Sequence, residues 1–153
     1  MSDAVERFRE AMELRGERFD ITTMEHSTHT ATEAAAAVGC EVGAIVKSLV
    51  FLADGEPILL LVSGPNRVDT NSVGRQLGAE ITKADASRVK AATGYSIGGV
   101  PPFGHPSPVR TVVDADLLGL SELWAAAGSA VAVFAVAPDR LVELSGGEVL
   151  NVS

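Results

Sequence analysis

A chain of 153 residues is long enough for one domain with a substantial core. Its net charge of −8 argues against a broad surface that tracks nucleic-acid phosphates. Apolar residues make up 46% but aromatic residues only 5%, so the core must be built mainly from Ala, Val, Leu and Ile, with little left for a base-stacking platform.

Asp3 is placed to cap a helix over residues 4–15, in which Val5, Phe8 and Met12 recur at helical spacing and Gly16 follows. The alternation in Phe19–Thr23 favours a strand, and the polar Glu25–His29 stretch reads as loop. Thr30 and Glu33 have capping-box spacing ahead of an alanine run that Gly39 stops. Glu41–Gly43 reads as one further turn. Ile45–Leu52 and Pro57–Val62 are apolar strands joined by the hairpin signal Asp54-Gly55. Asp69 and Thr70 can cap a helix to Leu77, and Glu80–Lys83 reads as a short strand. Asp85 caps a helix to about Ala92, with Gly94 beyond it. Arg110–Val113 reads as a strand, Ser121–Ala126 as a helix carrying Trp124, and Ala130–Val136 as a strong strand. Pro138 suits the first position of a helix to Leu144. Gly146-Gly147 leads into a last strand, Val149–Val152. Hairpin-linked strands mixed with helices predict an α+β fold in a single domain, residues 1–153.

The charge is uneven. Residues 57–113 hold six basic and three acidic side chains, the only local positive excess, and both flanking thirds are acidic. Arg67, Arg75, Lys83, Arg88, Lys90 and Arg110 can seat a few phosphates, or form an ordinary solvated face. Cys40 is the only cysteine, which excludes an intramolecular disulfide and fits a reducing compartment. The first twenty residues lack an apolar signal core, and no apolar run reaches the length of a membrane span. A soluble cytoplasmic protein without membrane contact is the expectation.

Between Thr93 and Pro106 runs an apolar stretch rich in Gly and Pro. Gly98, Gly99 and Gly104 permit φ > 0, and Pro101, Pro102 and Pro106 fix φ. A stiff loop with open N–H groups suits an oxyanion, a carboxylate or a ribose, although Gly and Pro also punctuate plain connections. Lys47 interrupts an apolar strand. Its ammonium either faces a bound anion or snorkels to water. His26 and His29 lie three apart without a fuller ligand set, so no metal or other cofactor is expected. Cys40 lacks an adjacent His and reads as an inert thiol. Ser48, Ser63 and Ser96 lack a nucleophile-elbow setting, and no phosphate-loop or dinucleotide fingerprint occurs. Asp114 can orient a site group or cap the following turn.

Four segments taken together, Ile45–Val50, Ala92–Tyr95, Gly98–Gly104 and Val112–Asp114, resemble the YbaK/EbsC family, free-standing relatives of the editing domain inserted in prolyl-tRNA synthetases. The resemblance runs from about Glu25 to Leu144. It implies a curled, mixed and largely antiparallel sheet flanked by helices, and a trans-editing deacylase that hydrolyses the ester of a mischarged tRNA, chiefly of the proline type. It assigns catalysis to Lys47 and Gly98, with Ser48, Gly99, Val100, Pro101, Pro102, Phe103, Gly104 and His105 as substrate-binding residues. The implied partner is the acceptor end of the mischarged aminoacyl-tRNA, with an aminoacyl-tRNA synthetase as an optional second partner. Relatives that remove cysteine carry a Ser-Gly-Gly stretch followed by an Asp, where this chain has Ala126-Ala127-Gly128 and Val133. Relatives that remove alanine tend to carry a His there, and none stands between Trp124 and Phe134. Neither specificity carries over, and a small apolar pocket discriminates weakly between isosteres. Two alternatives stay open: a non-catalytic module of the same fold that binds tRNA ends or an aminoacyl metabolite, and a hydrolase of a non-tRNA ester or thioester.

Overall fold

The computed structural model describes residues 3–24 and 30–153. His26 and His29, weighed above as metal ligands, lie outside the described residues.

Local signals set most of the elements. Helix α1 (Asp3–Leu14) buries Val5, Phe8 and Met12 along one face. A short strand β1 (Ile21–Thr23) follows. Helix α2 (Ala31–Val38) begins where the Thr30 hydroxyl accepts from the Glu33 N–H at 3.1 Å, and ends at Gly39 with φ 77°. One 3-10 turn (Val42–Ala44) leads to strand β2 (Val46–Ala53). A two-residue turn, Asp54 at φ 50° and Gly55 at φ 85°, returns the chain as β3 (Glu56–Ser63). Helix α3 (Thr70–Leu77) is capped by Asp69 and helix α4 (Ala86–Thr93) by Asp85, with strand β4 (Ile81–Lys83) between them. The Gly/Pro loop then leads to β5 (Arg110–Asp114). Strands β6 (Leu123–Ala126) and β7 (Ala132–Val136), helix α5 (Pro138–Ser145) and strand β8 (Glu148–Leu150) complete the order.

The strands form two sheets, one of five strands in the order β4-β2-β3-β5-β8 and one of three in the order β1-β7-β6. β2 pairs antiparallel with β3 and β4, whereas β3/β5 and β5/β8 are parallel. The three-stranded sheet is wholly antiparallel. The α+β class and the mixed pairing stand, with helices outside. The helix expected over Ser121–Ala126 is instead strand β6. Leu123 and Ala125 are buried while Trp124 and Ala126 are half-buried, a period of two. Register against β7 (Leu123↔Val136 to Ala126↔Val133) overrides the helical propensity of an alanine-rich segment.

Two cores result. One face of the five-stranded sheet, with Leu59, Leu61 and Val113, packs against α1, the three-stranded sheet and Phe103 of the Gly/Pro loop. Phe8 and Phe103 both touch Phe134, at centroid distances of 5.1 and 5.7 Å. The opposite face, with Ile58, Leu60, Val62 and Val112, is covered by Val73 of α3.

Candidate active site

β4 pairs with β2 only over Phe51–Ala53. Ahead of Phe51, the outer margin of β2 has no strand beside it among the described residues until a single bridge joins Ile45 to Trp124. Asp54 donates to Glu80 across the β2–β4 seam at 2.9 Å. Alternation along β2 therefore turns the main-chain N–H and C=O of Ser48 outward at that open margin. A cleft of about 440 Å3 runs along it, walled by β2, by β6 and by the Gly/Pro loop. Lys47, Ser48, Gly98, Trp124, Ala126 and Val133 all line it.

The loop reaches the cleft through one tight turn. The Gly99 N–H donates to the Ser96 carbonyl at 3.0 Å, which leaves Gly98 exposed at the third turn position with φ 91°. A Cβ on Gly99 would lie 2.7 Å from the Gly128 carbonyl oxygen and from Ser129 Cα, so glycine lets the loop rest directly on the β6–β7 connection. Val100 also lines the cleft. Pro101, Pro102 and Phe103 are buried behind it, and Phe103 belongs to the core. His105 is bonded to the Pro101 carbonyl at 2.8 Å, and burial holds its pKa below the ordinary histidine value. Gly104 faces α1, where a Cβ would meet Met12 at 2.6 Å. Gly99 and the Pro101–His105 segment thus support the loop from behind, while Gly98 and Val100 form the cleft surface.

Lys47 lies across from Val62 in the β2/β3 register, so its stem leaves the sheet on the α3 side, and Ser48 and Val50 face the space between the sheets. The Lys47 ammonium donates to the main-chain carbonyl of Asn66 at 2.5 Å. Burial lowers its pKa, the Arg67 guanidinium lowers it further, and Asp114 offsets part of this. The Ser48 hydroxyl is buried and has no hydrogen-bond partner. Asp114 is 1% exposed. It caps the following 3-10 turn through the Asp116 N–H at 3.0 Å and also accepts from Asn66 Nδ2 at 2.8 Å. Asn66 went unnoticed in the sequence because a Gly-Pro-Asn turn signals only a change of direction. Cys40 is half-buried, and burial together with Glu41 pushes its thiol pKa up, away from the reactive thiolate. Among the described residues no cluster of His, Cys, Asp and Glu could hold a metal ion, and no helix is long and apolar enough to cross a membrane.

Residues 25–144 match the aminoacyl-tRNA editing domain family. An uncharacterized protein of Bacillus subtilis, YwhH, is 30% identical over 131 residues, covering 85% of this chain and 83% of that protein. A proline–tRNA ligase of Nitratidesulfovibrio vulgaris is 35% identical over 92 residues, 60% of this chain but only 16% of the ligase. Among solved structures, one described as a candidate trans-editing enzyme for prolyl tRNA synthetase superposes with a TM-score of 0.94 at 43% identity, covering 100% of this chain and 98% of the other. A hypothetical protein, APE2540, gives 0.86 at 33% identity over 95% and 98% of the two chains. With the match spanning most of its length and the fold shared with a free-standing relative, the chain belongs to the aminoacyl-tRNA editing domain family.

Proposed function

We propose that this protein is a trans-editing deacylase that hydrolyses the ester between a wrong amino acid and a tRNA of the proline type. The observation that carries the reading is that Lys47 and Gly98, distant in sequence, line one cleft. An aminoacyl ester is already activated, so positioning and charge stabilisation supply most of the catalysis required. Water adds to the ester carbonyl as a substrate hydroxyl relays its proton toward the ribose ester oxygen, accepting one proton while releasing its own. The tetrahedral oxyanion is met by the amide at Gly98 and by the ammonium of Lys47, a residue that lines the same cleft. The carbon–oxygen bond to the terminal ribose then breaks, the ribose oxygen takes up the proton, and free amino acid and uncharged tRNA leave.

The reading is tested by deacylation assays across a panel of mischarged tRNAs. Wild type should release amino acid from at least one of them, and Lys47→Ala should lose about a hundredfold or more in rate with the fold intact. Full activity of Lys47→Ala would remove that residue from the mechanism. A second reading, a module that binds tRNA ends without turnover, draws on Val133, which lines the cleft where cysteine-removing relatives carry an Asp. Tight binding across the panel with no release would favour it. Hydrolysis indifferent to the tRNA would instead favour a general esterase.

A further inference from the structure

We propose that Asn66 and Asp114 are positioning residues for Lys47: the buried Asp114 carboxylate pins the Ser63–Asn66 turn, and the pinned turn holds the Lys47 ammonium through the Asn66 carbonyl. The kinetic part of this inference rests on the deacylase reading; the structural part does not.

The turn is fixed from several sides. Within it, the Asn66 N–H donates to the Ser63 carbonyl at 2.9 Å. Asp114 Oδ2 accepts from the Ser63 N–H at 3.0 Å and from Asn66 Nδ2 at 2.8 Å. The same Asn66 nitrogen donates to Asp116 Oδ2 at 2.7 Å, so each amide hydrogen has its own carboxylate. The Ser63 hydroxyl donates to the Gly43 carbonyl at 2.7 Å. A Cβ on Gly64 would lie 2.2 Å from the Val42 carbonyl oxygen, so the chain can pass there only as glycine. The Asn66 carbonyl is therefore held in place, with its side-chain amide committed to Asp114 and Asp116.

Asp114 does more than cap a turn. Capping uses only its bond to the Asp116 N–H, and the bonds to Ser63 and Asn66 reach a different segment of the chain. A carboxylate buried this deeply needs several donors, and here three nitrogens supply them. A lysine side chain, by contrast, has a long flexible stem and takes one position only when a fixed acceptor holds its head. The charged groups around that head are Arg67, next to the turn, Asp114 on β5, and Asp116 behind the Asn66 amide.

The test uses the full chain and two variants. Asn66→Ala removes the amide that ties the turn but keeps the carbonyl. Asp114→Asn keeps the shape and replaces one acceptor oxygen by a donor. The chain has only three lysines, Lys47, Lys83 and Lys90, so their side-chain NMR signals can be followed one by one. In unliganded protein both variants should shift the Lys47 signals and leave Lys83 and Lys90 unchanged. In Asp114→Asn, Lys47 should also titrate at lower pH than in wild type, because a stabilising negative charge is gone. In deacylation, kcat should fall roughly ten- to a hundredfold in both variants with KM nearly unchanged, as displaced catalytic groups do. Lys47 signals unmoved in both variants would overturn the inference whatever the activity. So would an unchanged or raised kcat in an enzyme that Lys47→Ala inactivates. If Lys47→Ala proves fully active, the deacylase role of the lysine falls and the NMR titration alone decides the structural part. Should Asp114→Asn fail to fold, Asn66→Ala carries both measurements.

Discussion

At the scale of single residues, the protonation of Lys47 ties structure to a measurable pH dependence. Burial and the Arg67 guanidinium lower its pKa from the ordinary 10.5, against the pull of Asp114. In the proposed mechanism the charged form is the one that meets the oxyanion. Activity should therefore be present at neutral pH and disappear as pH rises through a value below the usual lysine range. Replacing Arg67 removes one of the two lowering causes. Arg67→Gln should move the alkaline limb of the kcat profile to higher pH, after spontaneous ester hydrolysis is subtracted. A limb that stays in place would assign the titration to another group. Lys47 stood out in the sequence because a cation in an apolar strand is costly. Its partner did not, since Asn66 acquires its role only through Asp114, 48 positions away.

Among the elements, the Gly/Pro loop shows how two neighbouring glycines serve different ends. Gly98 needs its positive φ but has room, since an added Cβ would sit 3.8 Å from Ala130. Gly99 has an ordinary φ but no room against the Gly128 carbonyl. Gly98→Ala should fold and lose about 1–2 kcal/mol, the cost of a left-handed conformation for an L-residue. Gly99→Ala should lose more, because backbone must move on both sides of the contact. Thermal melts of the two variants check the order, and a reversed order would mean that loop and β6–β7 connection do not touch as described. The caps at Thr30, Asp69 and Asp85 and the Asp54-Gly55 turn were legible because their chemistry is local. Strand β6 was not. Its period-two burial is spread over four residues, and its identity comes from pairing with β7. For the same reason the loop could be recognised as unusual, but which of its residues face the cleft depended on where α1 and the β6–β7 connection press on it.

For the molecule as a whole, α1 lies ahead of the residues 25–144 that match the editing domain family, yet it is built into the main core. Phe8 is fully buried against Phe134, and Arg7 donates to the Gly94 carbonyl at 3.0 Å while stacking over Tyr95 at 4.8 Å. Phe8→Ala should cost about 3–5 kcal/mol, a large share of the stability of a domain this size. A denaturation midpoint close to that of wild type would show that α1 is an appendage. Where β4 ends its pairing, the cleft wall is also a bare strand edge, the kind of surface on which polypeptides stack and precipitate. A lysine within that edge discourages a second chain from zipping onto it, and an occupied cleft would block the approach altogether. A charged residue in that edge counts against pairing with another chain, a role separate from the chemistry proposed for it.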